Sequence, residues 1–282
     1  SDNNIIKKII NVSKISSNDL VLEIGPGTGN LTKFIVSQNP RKIYVIEKDE
    51  NLVSFLEKKY FGKINIIKKD ILKIPFEFYS GKKFLVLGNL PYNISTKILY
   101  NLCINSELNV SRMVLMFQKE VAERILADVN SKEYSRITIL SKWKFDIKRV
   151  TDVKPNSFFP KPKVHSTVLE FIPRRKIHKI KDPKNLEKIT KVFFNQRRKM
   201  VKKPINILFK NYKFDYKKFN INPTDRPQNI DISKVNKIYL TASGGRCEAY
   251  GPHSAERPSW AAARVSPPPA SPSAAGVSPA SR

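Results

Sequence analysis

The stretch LVLEIGPGTGNLTKFIVSQ, residues 20 to 38, joins an apolar run, a loop with glycine at 25, 27 and 29, and a segment of helical spacing. A short apolar run closed by glycine reads as a buried strand, and NLTKFIVSQ (30 to 38) then runs on as a helix. Gly25, Gly27 and Gly29 let the backbone turn tightly and approach a ligand where side chains would collide.

The same alternation continues outward. KIYVIE (42 to 47) is a second strand, ENLVSFLEKKY (50 to 60) a helix, KINIIKKD (63 to 70) a third strand and FLVLGN (84 to 89) a fourth. A helix follows from about Ser95 through Leu102, with Ser95 or Thr96 as its cap. VSRMVLMFQ (110 to 118) reads as a fifth strand and KEVAERILAD as its helix. Strands apolar on both faces and separated by helices predict an α/β, doubly wound, mostly parallel Rossmann-like sheet. Two further strand-like runs, ITILSKWKFDIKRVTDV (137 to 153) and KVHSTVLEFIP (163 to 173), complete a domain over residues 1–173; the second follows the elbow PNSFFPKPK. From 174 to 240 the pattern turns charged and helical, which predicts a small helical domain.

After Leu240 the composition changes. Residues 241–282 contain no Lys, Ile or Asn, and Ala, Ser and Pro make up more than half of them. Such a segment cannot bury enough apolar surface to offset its ordering entropy and is expected to be disordered and extraneous, a fusion or readthrough. The whole chain of 282 residues carries a formal charge of +28. Removing the four arginines and two glutamates of the tail leaves 48 basic and 22 acidic residues, a charge of +26. That excess points to a polyanionic partner, although a Lys-, Ile- and Asn-rich composition also reflects codon bias. Cys103 and Cys247 and three scattered histidines form neither a disulfide framework nor a metal site, so no metal is expected. No membrane span is expected either, and the cytoplasm is the expected location.

In a doubly wound sheet the ligand sits beyond the carboxyl ends of the strands. Here those ends carry EIGPGTG, Glu47, Asp70 and Asn89 in succession. Glu47 can accept hydrogen bonds from two ribose hydroxyls, and Asp70 can face an adenine amino group. The G-x-G-x-G spacing with these added polar ends suits S-adenosyl-L-methionine better than a dinucleotide. Each acid alone is as readily a helix cap; four consecutive strand ends favour a cofactor cleft. The fourth end reads NLPYNIST, residues 89 to 96. An exocyclic adenine amine is a poor nucleophile, and two acceptors on its N–H groups stabilise the charge that develops as it attacks a methyl sulfonium. The Asn89 side chain and the Leu90 carbonyl can supply them, Pro91 fixes where that carbonyl points, and Tyr92 offers a face to an unstacked base. In FFPKP, Phe158 or Phe159 can stack on the opposite side. Arg197, Arg198 and Lys199 form the best phosphate-binding cluster, with Lys119 and Arg124 nearer the cleft.

Together VLEIGPGTGNLT, VIEKD, KKDIL, GNLPYNIST, FQKEVAERI, FFPKPKVHSTV and FNQRRK resemble the ribosomal RNA adenine dimethyltransferases that modify small-subunit RNA near its 3′ end. The resemblance covers residues 1 to about 240. It implies transfer of two methyl groups from S-adenosyl-L-methionine to N6 of each of two adjacent adenosines, in a pre-ribosomal 30S particle, by a monomer. It also implies cofactor contacts at Gly25, Gly27, Glu47, Asp70 and Asn89, an adenine held by Asn89 through Tyr92, closure by Phe158 or Phe159, and an RNA-binding role for the helical domain of residues 174–240. The family's G-Q-[NH]-F-L segment does not stand ahead of SDNNIIKKII, so either a fragment of a longer chain or an incomplete cofactor lid is expected. Two alternatives share the cleft: a macrolide-resistance methyltransferase acting on large-subunit RNA, and a non-catalytic RNA- or DNA-binding assembly or transcription factor.

Overall fold

A computed structural model describes residues 3–157, 164–175, 183–209 and 214–242. The chain opens with α1 (Asn3–Ser13), followed by β1 (Leu20–Ile24), α2 (Asn30–Ser37), β2 (Lys42–Glu47), α3 (Glu50–Lys59) and β3 (Asn65–Lys68). Next come β4 (Lys83–Asn89), α4 (Ser95–Ile104), β5 (Asn109–Gln118), α5 (Lys119–Leu126), α6 (Arg136–Lys144), β6 (Phe145–Val153) and β7 (Ser166–Pro173). Three helices end the described chain: α7 (Pro183–Asn195), α8 (Lys202–Leu208) and α9 (Ile232–Ala242). Among the described residues no helix is long and apolar enough to cross a membrane.

The seven strands form one sheet in the order β3-β2-β1-β4-β5-β7-β6. The first five are parallel, and β7 runs antiparallel to both β5 and β6. The chain therefore moves one way from β1 to β3 and the other way from β4, so the switch point lies between β1 and β4. Both faces of the sheet are buried, as the continuous apolar strands require. Leu22, Ile24, Phe84 and Val86 pack into one core layer, Val21, Leu85 and Leu87 into the other.

The run 137 to 153 is not one strand. Its first part is α6, and only Phe145–Val153 is β6. Ile137, Thr138, Ile139, Leu140, Ser141 and Trp143 are all buried, so α6 lacks the polar face that marks a surface helix and its β-branched residues imitate a strand. Its start is fixed by the Ser135 N–H donating to Thr138 Oγ1 at 3.0 Å. At its end, Lys144 Nζ donates to the carbonyls of Leu102 and Asn105, tying α6 to the end of α4. Burial holds the Lys144 ammonium below its ordinary pKa. Ile139, Leu140 and Trp143 join Leu186, Phe193, Ile205 and Ile238 in a separate helical core. Nor is α4 capped by a side chain: Ile94 stands at the N-cap, and the Ser95 hydroxyl donates to the Tyr92 carbonyl at 3.1 Å.

Close approach explains one glycine in β4. A methyl group at Gly88 would lie 2.9 Å from the Ile24 carbonyl oxygen and 3.1 Å from Leu90 Cδ2. Gly88→Ala must therefore push β1 and β4 apart or dislodge Leu90, and we expect a loss of about 1–3 kcal/mol in urea unfolding. A stability equal to wild type would contradict this packing.

Candidate active site

The parallel register sets the strand ends abreast. Ile24 of β1 pairs with Ile46 of β2 and Gly88 of β4, so Gly25 follows level with Glu47 on one side and Asn89 on the other. The Gly25 N–H continues the ladder by donating to the Ile46 carbonyl at 3.1 Å. Gly25 and Gly29 have φ of 67° and 76°, the left-handed region that side chains disfavour. A methyl group at Gly25 would stand 3.7 Å from the Asn89 backbone oxygen and 3.8 Å from Pro91 Cδ. The glycine loop and the NLPY turn thus lie side by side across the switch point, with room for about a methyl group between them.

A cleft of about 300 Å³ opens there, lined by Glu23, Gly25, Gly27, Leu52, Asn89 and Met116 among others, with Ile5, Ile6 and Ile9 of α1 across it. Glu47 ends β2 beside this cleft without lining it; its Oε1 accepts the N–H groups of Lys48 at 2.8 Å and Asp49 at 3.0 Å. Asp70 lies two residues beyond β3, and its carboxylate accepts the Leu72 N–H at 2.9 Å, capping a short 3-10 turn. Both acids therefore perform a turn-stabilising role in the structure. Asn89 is exposed at the end of β4, whereas the Leu90 side chain is buried in the core, which fixes the backbone between them. The Pro91 carbonyl accepts the Ile94 N–H at 3.1 Å, closing the turn. Tyr92 is half-buried. Phe158 and Phe159, like the tail from 243 to 282, lie outside the described residues.

Two supports of the glycine loop escaped the sequence reading. The Tyr60 hydroxyl donates to the Gly29 carbonyl at 2.7 Å, and Lys59 Nζ donates to the Thr28 carbonyl at 3.0 Å. A methyl group at Gly29 would meet the Tyr60 ring at 2.7 Å. Glu23 is a third omission, although an acid inside the apolar run LVLEI was a visible signal. It is buried, and its Oε2 accepts the Thr32 hydroxyl at 2.7 Å. Burial raises its pKa from 4.5 to about 7, against the opposing pull of hydrogen bonds from the Thr32 side chain and backbone.

The basic residues divide. Arg197 donates its guanidinium to the Lys132 carbonyl and so braces a loop. Arg198 and Lys199 are exposed and share an open groove of about 600 Å³ with Lys202, Lys203, Met200 and Ile207. Lys119 is exposed at the start of α5, and exposed Arg124 pairs with Glu120 one turn earlier.

A mostly parallel sheet with a glycine loop at its switch point and polar strand ends on either side defines a Rossmann-like fold, and the known proteins it matches show it to be a methyltransferase. The chain matches a dimethyladenosine transferase from Plasmodium falciparum at a TM-score of 0.73 with 29% identity, over 86% of this chain and 96% of that one. It matches the fold of the 23S rRNA methyltransferase ErmE at a TM-score of 0.61 with 20% identity, over 85% of this chain and 98% of that one. The chain belongs to the ribosomal RNA adenine dimethylase family, whose model matches residues 1–243. A ribosomal RNA small subunit methyltransferase A from Pelagibacter ubique is 49% identical over 239 residues, 84% of this chain and 91% of that protein.

Glu23 gives a pH signature. The unfolded chain releases this proton near pH 4.5 and the folded chain near 7, so the stability of the neutral form is fully present below 4.5 and lost as pH rises through 7. Relative to Glu23→Gln, the wild type is expected to lose up to about 3 kcal/mol between pH 4 and 8, measured by urea unfolding. Parallel pH profiles would contradict a proton held by Glu23.

Proposed function

We propose that this protein transfers methyl groups from S-adenosyl-L-methionine to N6 of two adjacent adenosines near the 3′ end of small-subunit ribosomal RNA. The observation that carries the reading is the adjacency of the glycine loop and the Asn89–Tyr92 turn at the β1–β4 switch point. A donor held by the first faces an amine held by the second.

The residues fit such a donor. Gly25 and Gly27 offer bare backbone to it, Glu23 lines the same cleft, and Glu47 at the end of β2 and Asp70 two residues beyond β3 are the groups for ribose and adenine. When bound there, the donor supplies an electrophilic methyl group on a sulfonium. The chain's own part is to hold and polarise the acceptor. Asn89 Oδ1 and the Leu90 carbonyl take the two N–H groups of the target amine, localising its lone pair and offsetting the positive charge that forms on nitrogen. Pro91 keeps the Leu90 carbonyl in place, and Tyr92 stacks on the extruded ring. The methylated ammonium sheds its proton to water, so no strong base is needed. Phe158 or Phe159 would complete the sandwich.

Residues 174–240, with Arg198, Lys199, Lys202 and Lys203 exposed, supply the RNA-holding surface, together with Lys119 and Arg124. The substrate is the small-subunit RNA in a pre-ribosomal 30S particle, and the protein works there in the cytoplasm as a monomer. The name of the Pelagibacter relative supports the small-subunit target over the large-subunit one.

The test is incubation of the protein and labelled S-adenosyl-L-methionine with unmethylated small and large subunits in parallel, followed by mapping of the labelled adenines. Label on two adjacent adenines near the 3′ end is expected; label only on large-subunit RNA, or none, would reject the proposal. Asn89→Ala should lower turnover by about two to three orders of magnitude with RNA binding retained. Arg198→Glu with Lys199→Glu should weaken RNA binding and reduce the slope of log affinity against log salt by about one to two. An unchanged slope would place the RNA elsewhere.

A further inference from the structure

The hydroxyls of Tyr92 and Ser166, 74 residues apart in sequence, share a hydrogen bond. Ser166 is fully buried as the first residue of β7, paired with Gln118 of β5 and Val153 of β6. Two more bonds immobilise that strand end. The Lys119 N–H donates to the His165 carbonyl at 2.9 Å, and the Thr167 hydroxyl donates to Asp152 Oδ1 at 2.7 Å. At the other end of the tyrosine, its own carbonyl accepts the Ser95 hydroxyl at 3.1 Å. The residue is thus tied by its backbone to the start of α4 and by its phenol to the sheet, and neither tie uses a face of the ring.

We propose that Ser166 is a positioning residue for methyl transfer, fixing the Tyr92 ring as the platform on which the target base stacks. The proposal rests on the reading of the NLPY turn as the adenine holder. The physical reason lies in the side chain's freedom. A tyrosine can swing between χ1 rotamers and rotates broadly at χ2. A bond at the hydroxyl anchors the far end of the ring axis and so removes the alternative χ1 wells. Because the phenolic hydrogen prefers the ring plane, a partner fixed in space favours one ring orientation as well. Ser166 suits this task because its own position is set by strand pairing on both sides. A base that must be unstacked before reaction gains from a platform ordered in advance, since the ordering cost is not charged to the reactive complex.

The proposal also explains a sequence feature that the site chemistry left unused. In KVHSTVLEF both Ser166 and Thr167 are buried hydroxyls; Thr167 bonds Asp152 within the sheet, whereas Ser166, at the edge of the site, bonds the Tyr92 phenol. A buried hydroxyl without a partner is costly, and the Tyr92 phenol is the partner it has.

The test is a double-mutant cycle on methyl transfer to small subunits, with Ser166→Ala, Tyr92→Phe and the pair combined. Each single change is expected to lower kcat about tenfold, the scale of one hydrogen bond, and the double variant to lose no more than either. KM for S-adenosyl-L-methionine should stay at its wild-type value, the melting temperature should fall by no more than the few degrees that one stranded hydroxyl costs, and Ser166→Thr, which keeps the hydroxyl, should recover most of the rate. Independent losses that multiply to about a hundredfold would overturn the proposal. So would a Ser166→Ala enzyme of full activity, or a loss that follows the melting temperature and is not recovered by threonine. In each of these cases a wild type active on small-subunit adenines leaves the functional reading standing; a wild type inactive on them overturns both.

Discussion

Everything at this site depends on the in-register parallel pairing of β1 with β2 and β4. With Ile24 opposite both Ile46 and Gly88, the three strands deliver a glycine, a carboxylate and an amide to one edge at the same height. A register slip would carry every side chain of β4 to the other face, exposing Leu85 and Leu87 or Phe84 and Val86 to the wrong layer. The apolar packing on both faces therefore guards the alignment of polar groups that contribute little to stability themselves. Gly88 shows the same coupling in miniature. Its missing side chain lets β1 approach β4, and the space is taken by Leu90, whose burial fixes the carbonyl next to Asn89.

Rigidity in the site comes from neighbours that do no chemistry. Tyr60 and Lys59 at the end of α3 hold the carbonyls of the glycine loop, and Ser95 and Ile94 close the turn after Pro91. Glu23 is the exception in energetic terms. A carboxylate buried among apolar strands, with Thr32 as its hydroxyl donor, destabilises the fold once it ionises. Such a group has a reason to persist where a cation is bound, and the cleft lined by the glycine loop lies directly beside it.

The sheet was legible because its strands are apolar on both faces and its helices begin and end near glycine or polar caps. Glycine spacing and the polar strand ends also disclosed the cleft. The errors share a cause: sequence patterns report local surroundings, and α6 is surrounded by core on nearly every side, so it looked like a strand. The supports of the site were hidden for a different reason. Tyr60, Ser166 and Thr32 matter through hydrogen bonds to partners 31, 74 and 9 residues away, and no local pattern encodes such pairings. Arg197 and Arg198 adjoin in sequence, yet one braces the Lys132 loop and the other is free to meet phosphate.

Hydrogen exchange of the backbone amides tests the central claim, that two ligands meet across the β1–β4 switch point, most directly. Saturating S-adenosylhomocysteine is expected to protect residues 25 to 31 and 47 to 52 in the free protein, and small-subunit RNA to add protection over residues 89 to 98. Protection by the two ligands at separate places in the sheet, or none at the glycine loop, would contradict the account.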